Sequence, residues 1–357
     1  MTAPTFHSVA DAERLAAERL APDVRDFVSG GAGDEVTLAA NRAAFDRVSV
    51  VPRSLVDVSG HDTGRELFGA WSSMPLAIAP MAYQRLVHPD GESGVARAAA
   101  AAGVPNVLCM LSAEPIEDVA AAGGPHWLQL YWLKDRQVVA DLLRRAEGVG
   151  CRAVVLTVDV PLMGRRVRDL RNGFALPPDV RPVNIGGDVG ERRAGDSAVA
   201  RHTSAVFDPS LKWRDLDWIR ERTRLPLVLK GILHPEDARQ AVESGVDGLV
   251  VSNHGGRQLD GAVPSLDALP DVVEAVGGRC RVLLDSGVRT GVDVLRALAL
   301  GADAVLLGRP VLWGLAAAGR QGVAAVLDVI RQEFETALRL AGCRDVEDAR
   351  RLRTVRA

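Results

Sequence analysis

The chain has 357 residues, 47% of them hydrophobic, and 43 Lys and Arg stand against 46 Asp and Glu for a net charge of −3. That length suits one large α/β barrel with appended segments, and the near-balanced charge excludes a basic face built for nucleic acid. No stretch reaches the roughly 18 apolar residues of a membrane span. Asp11, Glu13 and Arg14 fall where a secretory signal would be apolar, so a soluble cytoplasmic protein is expected.

Residues 7–45 read as helical. His7 and Ser8 can cap a helix through Ala10 to Leu20, and a second run, Asp34 to Phe45, comes after the break at Gly30-Gly31-Ala32-Gly33. Residues 46–70 read as irregular apart from a short strand at Val48–Val51. Residues 1–70 are therefore expected to form a helical extension packed on the rest of the chain.

From Pro75 a rhythm begins. Apolar runs of strand length recur at Leu76–Ala79, Asn106–Cys109, Trp127–Tyr131, Ala153–Val158, Leu227–Lys230, Gly248–Ser252, Val282–Asp285 and Ala304–Gly308. Most are separated by capped helical segments, such as His234 to Gly245 and Thr290 to Gly301. Eight buried strands alternating with helices predict a parallel (β/α)8 (TIM) barrel over residues 71–357. The stretches Gly245–Val251 and Gly301–Leu307 nearly repeat each other, as stacked βα units would. One connection breaks the rhythm: residues 160–212, rich in Gly, Arg, Asp and Pro, predict a lid over the barrel or a disordered loop. Cys109, Cys151, Cys280 and Cys343 have no metal-ligand spacing, so no metal is expected; the first three sit in or beside apolar runs and are expected reduced and buried.

Barrel chemistry collects at the C-terminal ends of the strands. Strand six ends in Ser252-Asn253-His254-Gly255-Gly256-Arg257-Gln258-Leu259-Asp260-Gly261. An imidazole can take a proton near neutral pH, and a guanidinium three residues on can grip a carboxylate. That pairing suits chemistry on the carbon beside a carboxylate. Asp159, after strand four, can accept a bond from the His254 ring, and Tyr131, after strand three, can donate to a substrate oxygen. Lys230 ends an apolar strand and needs an anionic partner. Gly287, Arg289, Gly308 and Arg309, with the positive end of the helix starting near Thr290, predict a phosphate site after strands seven and eight.

The stretch 252–261 resembles the signature of the FMN-dependent α-hydroxy-acid oxidases and dehydrogenases, which include glycolate oxidase, lactate oxidase and mandelate dehydrogenase. The similarity runs from Gly31-Ala32 to Arg309-Pro310. It implies FMN as cofactor, with Pro80, Met81 and Ala82 lining the flavin and Gln129 and Thr157 bonding its polar edge. Lys230 would sit at the N1–C2 edge, where negative charge gathers on reduction, and Ser252 would lie nearby. Asp285, Ser286, Gly287, Val288 and Arg289, with Gly308 and Arg309, would hold the ribityl chain and phosphate. His254 would be the base, supported by Asp159. Arg166 and Arg257 would clamp the substrate carboxylate, and Tyr131 would bond the substrate oxygen.

The chain departs from the family pattern at several points. Cys109 stands near the flavin where many members carry Ser. Ser286 gives Asp-Ser-Gly for Asp-Gly-Gly. Arg25 falls where relatives often place a substrate-contacting tyrosine. Leu111 replaces a bulky Trp, which leaves room for an aryl group and favours mandelate-like acids.

The expected reaction is oxidation of an (S)-2-hydroxy acid to the 2-oxo acid. His254 takes either the hydroxyl proton or the α-proton; both readings stand. O2, giving hydrogen peroxide, is the first choice of acceptor, and a quinone or carrier protein the second. A non-redox flavin isomerase, a phosphate-binding lyase and a non-catalytic binding protein are the other readings. The expected partners are a small 2-hydroxy acid and O2, with no nucleic acid and no membrane, and the resemblance implies a homotetramer.

Overall fold

The near-repeat has a geometric origin. In the computed structural model, which describes residues 5–186 and 197–356, Asp247 accepts the backbone N–H of Leu227 at 2.7 Å and Asp303 that of Val282 at 2.8 Å. The backbone N–H of each aspartate returns to the carbonyl of the same residue, at 2.8 and 2.7 Å. Each aspartate so closes a ring with the start of the preceding strand and fixes the register of the pair.

Eight parallel strands close into a barrel: Leu76–Ile78, Asn106–Cys109, His126–Leu130, Val154–Thr157, Leu227–Ile232, Gly248–Val251, Arg281–Leu284 and Ala304–Leu307. The last pairs with the first, Val305 opposite Leu76. Along each strand, side chains alternate between the barrel interior and the ring of helices. Val107, Val155, Val228 and Val250 point inward, whereas Leu108, Leu156, Leu229 and Leu249 pack on the helices. Both faces are dry, so the strands read as continuous apolar runs.

Two expectations are corrected. Residues 46–70 are not irregular throughout: Arg65–Leu67 and Ala70–Ser72 form a hairpin. Its Phe68 meets Trp127 edge-on at 5.2 Å inside the barrel's N-terminal end. Arg65 is buried there and bonded to Asp303, which also holds Arg281 at 3.2 Å. The connection after strand four is not polar throughout. It carries helices Val167–Asn172 and Ala198–Val206 and buries Phe174, Val180, Val199 and Phe207. Residues 187–196, part of the expected lid, lie outside the described residues.

The N-terminal segment forms helices Val9–Arg19, Pro22–Ser29 and Val36–Asp46. Strand Val48–Val50 pairs antiparallel with Thr354–Arg356, and helix Val9–Arg19 packs along the long C-terminal helix Arg309–Leu340. All four cysteines are free; Cys280 is half-buried rather than buried. Among the described residues, no helix is long and apolar enough to cross a membrane.

Candidate active site

After strand Gly248–Val251 the backbone turns through the left-handed region at His254, Gly255 and Gly256, with φ of 58°, 68° and 74°. This turn aims the His254 ring across the barrel mouth, where Nδ1 lies 2.9 Å from Asp159 Oδ1. Burial pushes the imidazole below its ordinary pKa, against the opposing pull of Asp159. Burial alone would raise the Asp159 carboxyl, but the attraction of His254 whenever its ring carries a proton, and that of the Lys230 ammonium, outweigh it and hold it below the usual range. The pair is therefore a neutral imidazole beside a carboxylate at neutral pH. Nδ1–H donates to Asp159, and Nε2 is left as the proton acceptor.

Arg166 and Arg257 come from different loops but meet over one ring. Their guanidinium carbons lie 5.9 and 5.3 Å from the centre of Phe27. Gly164 permits the meeting, because a Cβ there would lie 2.4 Å from the Arg257 carbonyl oxygen. Arg257 donates to the carbonyls of Phe27 and Gly30 at 2.8 Å each, whereas the Arg166 Nε has no partner among the described residues. Burial, then the neighbouring Arg257, pushes Arg166 down to about 9. Burial likewise lowers Arg257, and lowers Arg289 to about 10. A guanidinium stays charged at neutral pH, so these directions mark cations withdrawn from water, with Asp169 as the carboxylate that acts on both Arg166 and Arg257. The cleft they line is built to receive anions. The position expected for Arg25 is corrected: Arg25 is exposed on helix Pro22–Ser29, and Phe27, two residues on, faces the cleft.

Deeper in the barrel a polar row crosses three strands. The Cys109 thiol donates to Gln129 Oε1 at 3.2 Å, and Gln129 Nε2 donates to the Thr157 hydroxyl at 3.0 Å. Burial pushes the Cys109 thiol up to about 12, so it stays protonated as a donor. Lys230 lies beyond, 3.1 Å from Asp285 Oδ2, and donates to the Ser252 hydroxyl at 3.1 Å. Burial would lower its ammonium, but Asp285 and Asp159 outweigh burial and raise it. Lys230 thus pairs with a carboxylate of the protein itself, Asp285, where the sequence suggests a cofactor that turns negative during turnover as the partner.

At the end lined by Ser286, Gly287, Val288, Arg289 and Gly308, the helix expectation is corrected. The helix after strand seven, Gly291–Ala299, is already capped. Thr290 and Asp293 form a reciprocal capping box, and Gly291 N–H donates to Glu333 at 2.8 Å. The helix after strand eight, which begins at Arg309, has no side-chain cap. Its positive end is the one open to an anion. The Arg309 guanidinium is spent on the carbonyls of Val28, Gly30 and Gly255.

Pro80, Met81 and Ala82 line one wall. The outer end is apolar: Leu111, Met163, Val199 and Phe207, with Phe207 stacked on Tyr131 at 4.5 Å. Burial raises the Tyr131 phenol well above its ordinary value, so it remains a donor. One continuous cleft runs from Arg289 and Gly308 at one end, past Lys230 and Cys109, to Leu111 and Phe207 at the other. Sequence reasoning missed Tyr83, Phe27 and Phe207. Tyr83 has a buried hydroxyl with no partner among the described residues and is left-handed at φ 57°. Its signal was its place just past the end of the first strand; Phe207 had none.

Comparison with known proteins agrees with this geometry. The chain is 54% identical to 4-hydroxymandelate oxidase of Amycolatopsis orientalis over 98% of both chains. It is 46% identical to glycolate oxidase of Spinacia oleracea over 96% of this chain and 94% of that one. A crystal structure of mandelate oxidase with (S)-4-hydroxymandelic acid superimposes with a TM-score of 0.96 at 53% identity, over 99% of both chains. The family model for FMN-dependent dehydrogenases matches residues 16–356, nearly the whole barrel and its extension, and the chain belongs to that family.

Proposed function

We propose that this protein oxidises an (S)-2-hydroxy acid bearing an aryl group, mandelate or 4-hydroxymandelate, to the 2-oxo acid, with O2 reduced to hydrogen peroxide. One observation carries the reading: a neutral imidazole backed by a carboxylate faces the same cleft as two arginines withdrawn from water, beneath an aromatic wall. The similarity to 4-hydroxymandelate oxidase and to mandelate oxidase supports the aryl acid.

The cleft fits FMN. Its uncapped helix start, recessed Arg289 and closely approachable Gly308 suit a phosphate. Lys230 and Cys109 face the cleft, with Gln129, Thr157 and Ser252 bonded to them from behind, and this row would serve one edge of a flat ring that Pro80, Met81 and Ala82 flank. Asp285, Gly287, Val288, Arg289 and Gly308 would hold the other end, with Ser286 contributing there only through its backbone and Arg309 through the helix start it opens. FMN, when bound, supplies a two-electron acceptor that O2 can reoxidise.

Arg166 and Arg257 hold the substrate carboxylate, and Tyr131 donates to the oxygen on the α-carbon. His254 Nε2 takes the proton. Asp159 keeps the ring in the right tautomer and stabilises the charge it gains. Leu111, Met163, Val199 and Phe207 surround the aryl group and exclude water. The connection 160–212, which carries helix Ala198–Val206 among its described residues, is proposed as a lid on a barrel domain, residues 71–357, that carries the 1–70 extension. The four free thiols suit a reducing compartment. Assembly is proposed as a homotetramer, which light scattering would test; Val36, Leu162 and Leu259, all exposed, are suitable contact residues.

The function is tested by mixing the purified protein with (S)-4-hydroxymandelate under argon while recording the visible spectrum. The flavin band should bleach and return when air is admitted. A band that persists with 4-hydroxymandelate and mandelate, but bleaches with glycolate or lactate, would overturn the aryl substrate. A bleached band that returns only with a dye or quinone would overturn O2 as acceptor.

A further inference from the structure

Ser286 stands in the left-handed region with φ 73°, a conformation that favours glycine. Its backbone is held from behind by the Ser265 hydroxyl, which donates to the carbonyls of Asp285 and Ser286. The Ser286 hydroxyl accepts the N–H of Gly255 at 2.9 Å and donates to Asp285 Oδ1 at 2.8 Å. Asp285 Oδ2 lies 3.1 Å from Lys230, Lys230 donates to the Ser252 hydroxyl at 3.1 Å, and that hydroxyl accepts the N–H of His254 at 3.0 Å. The bonds close a ring: Ser252, Lys230, Asp285 and Ser286 grip the two consecutive N–H groups of His254 and Gly255.

We infer that Ser286 is a positioning residue for His254, completing a ring that fixes the left-handed turn carrying the imidazole. The inference rests on His254 being the base. The far side of the turn is held independently, by Arg309 on the Gly255 carbonyl at 3.0 Å and by Asn253 Oδ1 on the Gly256 N–H at 3.0 Å. On the side that carries the imidazole, Ser252 bonds the His254 N–H and Ser286 the Gly255 N–H, so losing Ser286 leaves that side with the Ser252 bond and lets the ring swing about it. A glycine at 286 would adopt the same backbone more readily but could not make that bond. The cost of a serine there has a compensating role, and the role lies at His254 rather than in the fold.

The test uses Ser286→Gly as purified holoenzyme, beside the parent and His254→Ala. The limiting rate of anaerobic flavin reduction is measured across pH, together with substrate affinity, FMN occupancy and Tm. Ser286→Gly should keep its FMN, its substrate affinity and a Tm at or above the parent's. Its limiting reduction rate should fall about 10- to 100-fold. Looser contact with Asp159 should move the acid limb of the profile to lower pH. An unchanged rate and limb would overturn the inference, provided His254→Ala is strongly impaired. Lost FMN with normal reduction in the loaded fraction would also overturn it, making Ser286 a cofactor-binding residue. His254→Ala reducing at the parent rate would overturn the base reading and this inference with it. Should Ser286→Gly yield no holoenzyme, Ser286→Ala is judged by the same outcomes.

Discussion

Asp159 fills the space into which any residue but glycine at position 231 would project. A Cβ on Gly231 would lie 2.5 Å from the Asp159 Cβ. Gly231 sits at a register shift between strands five and six with φ 112°, so both the clash and the backbone disfavour a side chain. Gly231→Ala should push Asp159 away from His254 and lower kcat about 10- to 100-fold. Steady-state kinetics alongside a melting curve checks this; kcat should fall by far more than stability.

The depressed pKa of His254 fixes the pH dependence. The base must be neutral, so kcat/KM should rise with pH through a midpoint below the ordinary value of about 6.5. Asp159 raises the His254 pKa, so Asp159→Asn should move the midpoint to still lower pH. The plateau should fall about 10²- to 10⁴-fold, since the tautomer lock is lost. A midpoint moving upward would contradict the assigned charges.

Two arginines with one proposed task differ in what else they hold. Losing either to Met should lower kcat/KM about 10- to 150-fold, the worth of charge-assisted bonds to a carboxylate at about 1.5–3 kcal/mol. Arg257 also bonds the carbonyls of Phe27 and Gly30, so Arg257→Met should lower Tm as well. Arg166→Met, which removes a crowded charge, should leave Tm unchanged or raised. Thermal melts of the ligand-free variants decide the contrast.

The Tyr83 hydroxyl is buried without a partner among the described residues. Leaving a polar group so placed costs about 1–3 kcal/mol. Tyr83→Phe should therefore stabilise the ligand-free protein, raising Tm by about 1–3 °C. If the hydroxyl meets the substrate, the same variant should lose affinity for 4-hydroxymandelate. A ligand-free Tm that falls would mean the hydroxyl has a partner in solution.

At the opposite end of the barrel, Asp303 is the shared counter-charge of Arg65, Arg281 and Arg350. Asp303→Ala would leave the buried Arg65 guanidinium with Glu347 as its remaining carboxylate, would remove the acceptor of the Val282 N–H, and should cost about 1.5–3 kcal/mol. Urea unfolding measures it, and kcat of the folded fraction should barely change.

The barrel was legible because its strands are dry on both faces and so stand out as apolar runs. The His254, Arg257, Asp159 and Lys230 cluster was legible because polar groups at the ends of such runs have no structural excuse. Hairpin 65–72 was not legible: the charge of Arg65 looked like loop chemistry, and its partner Asp303 lies far along the chain. Arg25 was placed by offset, whereas the face of helix Pro22–Ser29 turns Phe27 inward. The capping box of Thr290 and Asp293 was present as a Thr-x-x-Asp spacing, and it removes the donors a phosphate would need. Lys230 and Asp285 pair across a strand boundary that the linear order conceals.

The N-terminal segment is held by residues made late. Its carbonyls at 27, 28 and 30 are gripped by Arg257 and Arg309, its first helix lies along Arg309–Leu340, and its strand Val48–Val50 pairs with Thr354–Arg356. During synthesis these residues are made before their partners. The wall of the cleft that they form cannot close until Arg257, Arg309 and the helix that follows have left the ribosome, and a chain stalled before that point carries part of its active site with nothing to lean on.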